Sequence, residues 1–118
     1  MTIDLFLQND ESRAPRDQVR IERLAATPYP DGRRIKVEID VTPFRERPNL
    51  EIAIRDQNGK MVSGSSVIAT MIFKMEFVLH LRDVTEPAGD YIVEAKLYYD
   101  DILSPQDTRE ITLNIPRT

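Results

Sequence analysis

The chain has 118 residues, 31% of them charged and 41% hydrophobic, and a formal net charge of -4. That length holds one domain with its own core, and the balance describes a folded, soluble protein, excluding a disordered chain and a membrane-embedded one. Cysteine is absent, which removes a disulfide framework, a thiolate zinc site and a cysteine nucleophile; bases mixed with acids along the whole length argue against nucleic-acid binding.

From the N-terminus, Met1 to Gln8 carries Asp4 where a secretory signal would be basic, and the apolar run Leu5, Phe6, Leu7 is shorter than such a signal needs. No stretch of about 20 apolar residues offers a membrane crossing. The expectation is a cytoplasmic protein with no membrane partner. Residues 1–17 read as a tail or linker, polar from Gln8 to Asp17 and interrupted by Pro15, and residues 18–118 as a single β-sandwich domain. Arg13 to Arg23 is locally basic, but Asp17 and Glu22 within it make it a solvated face.

Val19 and Ile21 share one phase and Leu24 breaks it, which predicts a bulge or a change of partner between Ile21 and Leu24. Pro28 and Pro30 stop this strand, and Asp31-Gly32 turns the chain into the clearest strand of all. From Ile35 to Thr42, Ile35, Val37, Ile39 and Val41 fall on one side and Lys36, Glu38 and Asp40 on the other. Pro43 and Pro48 enclose a charged connection. Leu50, Ile52 and Ile54 repeat the alternation, and Asn58-Gly59 predicts a type I′ hairpin back into a short strand, Lys60 to Ser63, ended by Gly64. Val67 to Leu81 is long for one strand, so it divides near Phe73 and Lys74 into two, with a helical turn as the alternative. After the turn cluster Glu86 to Asp90, the residues Tyr91, Val93, Ala95 and Leu97 share a face. Asp100 to Asp107 is a polar loop, and Arg109 to Ile115 is the last strand. The fold class is all-β, a two-sheet antiparallel sandwich of seven or eight strands.

Pro87-Ala88-Gly89-Asp90-Tyr91-Ile92-Val93 resembles the turn and sixth strand of immunoglobulin-like and fibronectin type III-like β-sandwich domains. In that superfamily a tyrosine hydroxyl at this point bonds the backbone upstream and fixes the corner between sheets, a role the resemblance gives to Tyr91. Val93 stands where antibody domains place a disulfide cysteine, so the chain is similar to the disulfide-free branch. Tryptophan is missing, with Ile52 or Ile54 the expected filler of its core position. The resemblance covers residues 18–116 and implies a bacterial domain that binds or connects rather than catalyses.

No residue set points to an enzyme. His80 is the only histidine, faces outward by alternation, and has no serine, cysteine or second ligand for a triad or a metal site. A glycosidase using Glu86, Asp90 or Asp100 would need a deep cleft. The outward phase gives Ile68, Ile72, Val78 and Ile92 apolar positions on faces that should carry charge. Together with Tyr98 they are the candidate partner-binding residues, for a protein partner or a homo-oligomer. The competing explanation is that Ile3, Leu5, Phe6 and Leu7 fold back to cover them, or that the phase from Val67 to Ile72 is different. The alternative function is a carbohydrate- or calcium-binding module on the loop 98–107, where Asp100, Asp101 and Asp107 lie near Tyr98 and Tyr99. No cofactor is expected.

Overall fold

The alternation of Ile35, Val37, Ile39 and Val41 becomes the central strand of one sheet, with all four side chains sealed from water. A computed structural model describes residues 12–117. In chain order its strands are β1 (Ile21–Pro28), β2 (Arg34–Val41), β3 (Asn49–Arg55), β4 (Met61–Val67), β5 (Lys74–His80), β6 (Gly89–Tyr98) and β7 (Asp107–Ile115), preceded by one 3-10 turn, Arg16–Gln18. All pairings between strands are antiparallel, in a sheet ordered β1-β2-β5 and a second ordered β4-β3-β6-β7. Inward rows from both sheets (Ile35, Val37, Ile39 against Leu50, Ile52, Ile54, Val93, Ala95, Leu97) meet in one core. Each large aliphatic side chain so buried stabilises the fold by about 1.5–3 kcal/mol. Ile52 and Ile54 are both fully buried.

The break in phase after Ile21 is a register shift between Ile21 and Arg23 in the β1-β2 pair. That pair is a hairpin. Its turn closes through Gly32 N to Tyr29 O at 2.9 Å, with Gly32 at φ 68°. The Asp31 carboxylate gathers Arg33 N, Arg34 N and Arg34 Nε at 2.9, 3.1 and 2.7 Å. The bonds from Arg33 and Arg34 hold the Asp31 carboxyl below the ordinary carboxylate range.

Three expectations change. The β3-β4 hairpin exists, but only Gly59 has positive φ, at 82°, so Asn58 does not adopt the type I′ conformation. Asp56 O accepts from Gly59 N at 3.0 Å and Asp56 N donates to Lys60 O at 2.9 Å, giving a three-residue loop, and Val62 of β4 bulges beyond it because Ile54 pairs with Ser63 and Arg55 with Met61. Asp56 decides the geometry, because its side chain also accepts from Asn58 N and Lys60 N. Secondly, β4 does not end at Gly64; it runs to Val67, since Ala53 and Ile52 of β3 pair with Gly64 and Ser65. Thirdly, Val67 to Phe73 forms neither a strand of its own nor a helical turn. Ile68 to Phe73 is an irregular connection with Ala69 at φ 52°, and β5 begins at Lys74.

The described end of the segment before β1 is bonded to the sandwich: Ala14 bridges Phe44, and Arg16 O accepts from Gln106 Nε2. Phe44 is buried within the connection enclosed by Pro43 and Pro48 and meets Phe73 edge-on at 4.8 Å. Ile3, Leu5, Phe6 and Leu7 lie outside the described residues.

Candidate interaction surface

Two sheets of three and four strands leave two long sides, and these differ. Along the β1/β7 side the layers are tied by several bonds. Asp107 accepts from Ile21 N at 2.8 Å, Arg109 donates to Glu22 O at 2.9 Å, and Gln106 Nε2 donates to Val19 O at 2.7 Å. On the β4/β5 side, Arg82 N to Val62 O at 2.8 Å is the backbone bond between the segment after β5 and β4. The rest of that side is spanned by the connection Ile68 to Phe73.

This connection is pinned, yet its apolar side chains look outward. Thr70 is buried; its N donates to Pro48 O at 3.0 Å and its hydroxyl reaches the Met75 sulfur at 3.3 Å. Ala69 N donates to Asn49 Oδ1 at 2.7 Å. Around these anchors Ile68, Met71 and Ile72 are 69%, 72% and 56% exposed, and Met61 at the start of β4 is 51% exposed. Anchors on both backbone and side chain give the apolar residues a fixed presentation rather than a loose one.

Beside them runs a groove of about 410 Å3 lined by β4 from Met61 to Ser66, by Glu51, and by Arg82 and Asp83. The Ser66 hydroxyl donates to the Glu51 carboxylate. Asp83 has φ 56°, a left-handed conformation uncommon for a residue with a Cβ.

Of the five expected surface residues, the structure brings Ile68, Ile72 and Tyr98 to one end of the sandwich. Tyr98 is half-buried and pairs with Asn49, whose side chain also holds Ala69. Val78 and Ile92 are exposed as the alternation requires, but Val78 lies on the outer face of the three-stranded sheet opposite Lys36, and Ile92 on the outer face of the four-stranded sheet opposite Arg55 and Thr112. Those two outer faces point away from each other, so the five do not form one patch. Met61 and Met71 were missed by sequence reasoning; the signal was present, because no residue from Met61 to Phe73 carries a charge in a chain that is 31% charged.

The Tyr91 hydroxyl donates to Pro87 O at 2.7 Å, closing the corner ahead of β6. Burial raises the Tyr91 phenol above its ordinary value, with the Asp56 charge adding to it. On the loop 98–107 the polar groups are engaged internally. Arg16 pairs with Asp100 at 2.5 Å and lies over the Tyr99 ring at 4.6 Å; Asp101 accepts from Leu103 N at 2.9 Å; Asp107 holds Ile21 N. Hydrogen bonding to Asp100 raises the Arg16 pKa, and burial raises that of Tyr99, whose hydroxyl donates to Glu46 O at 2.9 Å. Among the described residues, no group of three or more His, Asp or Glu is placed to hold a metal ion. His80 is exposed at the end of β5.

Such a domain belongs to the class of two-sheet antiparallel β-sandwiches. The sequence matches no family model and no curated protein. Solved structures do share the fold. A glycosyl hydrolase family 2 member from Bacteroides cellulosilyticus is 19% identical, with a TM-score of 0.63 over 82% of this chain and 14% of that one. A Bifidobacterium dentium beta-glucuronidase gives 18% identity and a TM-score of 0.64 over 82% of this chain and 18% of that one. The chicken interferon gamma receptor alpha chain gives 15% and 0.60, covering 83% of this chain and 52% of that one. The chain thus spans less than a fifth of these two glycosidases. At such identities the likeness is one of fold. No helix among the described residues is long and apolar enough to cross a membrane.

Proposed function

We propose that this chain is a non-enzymatic interaction module, an immunoglobulin-like or fibronectin type III-like sandwich that docks a protein through its β4/β5 side. The observation that carries this reading is the pinned set Ile68, Met71 and Ile72, held outward beside an uncharged edge strand. Exposed apolar side chains that cluster on a fixed connection lose hydration favourably only when something covers them. The narrower fold type is supported by the Tyr91 corner and by the strand order, in which the fourth strand pairs with the third rather than the fifth. A bacterial cytoplasmic setting belongs to the same reading, and a chain without cysteine fits a reducing compartment.

Co-purification from the native cell tests it, comparing the tagged wild-type chain with Met71→Glu and Ile72→Glu. A partner retained by the wild type and released by both variants supports the reading. Equal retention by all three, or no specific partner and no self-association for the wild type, removes it.

A second reading has support from the neighbours, since the two glycosidases compared act as enzymes of which this fold is one part. It makes the chain a carbohydrate- or calcium-binding accessory module using the loop 98–107. Arg16 covers the Tyr99 face and pairs with Asp100, so a ligand there would compete with Arg16. A thermal shift with a glycan panel or with calcium, enlarged in Arg16→Ala, supports it; no shift in either protein removes it.

A further inference from the structure

Edge strands expose unpaired N–H and C=O groups, and proteins guard them with charge, proline or a covering segment. Among the four edges here, three are guarded. β1 carries Glu22 and Arg23 exposed, β5 carries Lys74 and Glu76, and β7 carries Arg109 and Glu110. The fourth, β4, carries no charge of its own: Met61-Val62-Ser63-Gly64-Ser65-Ser66-Val67 is uncharged throughout, Gly64 and Ser66 are exposed, and the groove that follows it has its charges, Glu51, Arg82 and Asp83, on neighbouring segments. Among the described residues, Arg82 N engages one carbonyl of this edge, that of Val62, and the small side chains beyond it leave room for an incoming strand.

We propose that β4 is a dimerisation edge, pairing antiparallel with β4 of a second copy so that two four-stranded sheets become one of eight. This rests on the reading of the chain as an interaction module and names its partner. Three observations favour a second copy over an unrelated strand. A two-fold axis sets the segment against itself, and with no charge from Met61 to Phe73 no like charges fall directly opposite each other within the new ladder. Antiparallel pairing brings the Met61 end of one strand beside the Val67 and Ile68 end of the other, so the exposed apolar residues at both ends are covered together. The bond from Arg82 to Val62 occupies the start of the strand, which centres the pairing on Gly64 to Ser66, where the side chains are smallest.

Sedimentation of the purified full chain over a range of concentrations tests this, together with hydrogen exchange of the β4 amides. The expected result is a species of twice the chain mass, slowed exchange at Gly64 to Val67 as the dimer forms, and association weakened tenfold or more by Ser66→Lys and separately by Ile72→Glu. Val78→Glu, on the opposite outer face, leaves the dimer intact. Ile72 is exposed, so Ile72→Glu retains the fold if Ser66→Lys does not. A dimer insensitive to both variants overturns the proposal, as does a monomer at every concentration. A monomer whose β4 amides are already protected overturns it too. A monomer that still loses a native partner on Ile72→Glu leaves the interaction module standing without the self-pairing.

Discussion

Tyr91 and Asp31 show what single side chains contribute here, one by capping a corner and the other by organising a turn. Tyr91→Phe removes the bond to Pro87 O and is expected to cost about 1 kcal/mol at neutral pH in chemical denaturation. Because folding raises the Tyr91 pKa, the stability tied to its protonated form is present below the ordinary tyrosine value of about 10 and is lost as pH climbs through the folded value. The gap in Tm between wild type and Tyr91→Phe therefore narrows above pH of about 10, and thermal melts across that range read it. Asp31 has the opposite sign. Its folded pKa is depressed, so its contribution is present above the ordinary carboxylate value and is lost as pH falls through the folded one. Asp31→Ala is expected to lower Tm at neutral pH, with the difference shrinking in strongly acidic buffer. The Tyr91 role was legible through the resemblance of its turn, and the turn at Asp31-Gly32 was legible from its residue types; the carboxylate bonds by which Asp31 organises that turn were not, and only Gly32 takes the positive φ. The contact of Arg16 with Tyr99 and Asp100 was not legible either, since it joins residues far apart in the chain and no local pattern encodes it.

Strands with one buried face wrote themselves plainly: β2, β3, β6 and β7 appear where alternation put them, to within a residue or two. The misreadings fall where period gives way to loop chemistry. Asn-Gly signals a type I′ turn only when the preceding residue leaves the choice open, and Asp56 instead accepts two amides and draws the loop into a longer form. Gly59 then occupies the left-handed position alone, with open space around the site of a Cβ. Gly59→Ala is expected to cost about 1–2 kcal/mol through backbone conformation, read from urea midpoints, and Gly59→Asn less. The segment from Val67 to Phe73 failed for another reason. Its β-branched and aromatic composition suits a strand, but Thr70 and Ala69 are captured by Pro48 and Asn49, contacts across the fold that override local preference. The same capture turned an expected face of a strand into the apolar surface of the β4/β5 side. Ile68 and Ile72 were thus correct as exposed residues, and the surface they build was hidden.

At the level of the whole molecule, the two layers share one interior but are joined unequally along their margins. Asp107 is the clearest fastening, because it satisfies the amide of Ile21, a residue with 1% exposure. Asp107→Ala leaves that amide without its partner and is expected to cost about 1–3 kcal/mol in urea denaturation, although the substituted side chain itself is only half-buried. The number of layers and the composition of the core were available from the residue pattern alone. Which margin is fastened was not, because the bonds of Gln106, Asp107 and Arg109 to the first strand link the last loop and strand to the beginning of the chain. A body bound along one margin and lightly joined along the other resembles a book with a spine. Its leaves part from the fore-edge, so partial opening under heat, denaturant or mechanical load begins at β4 and β5, while β1 and β7 stay together until the final collapse.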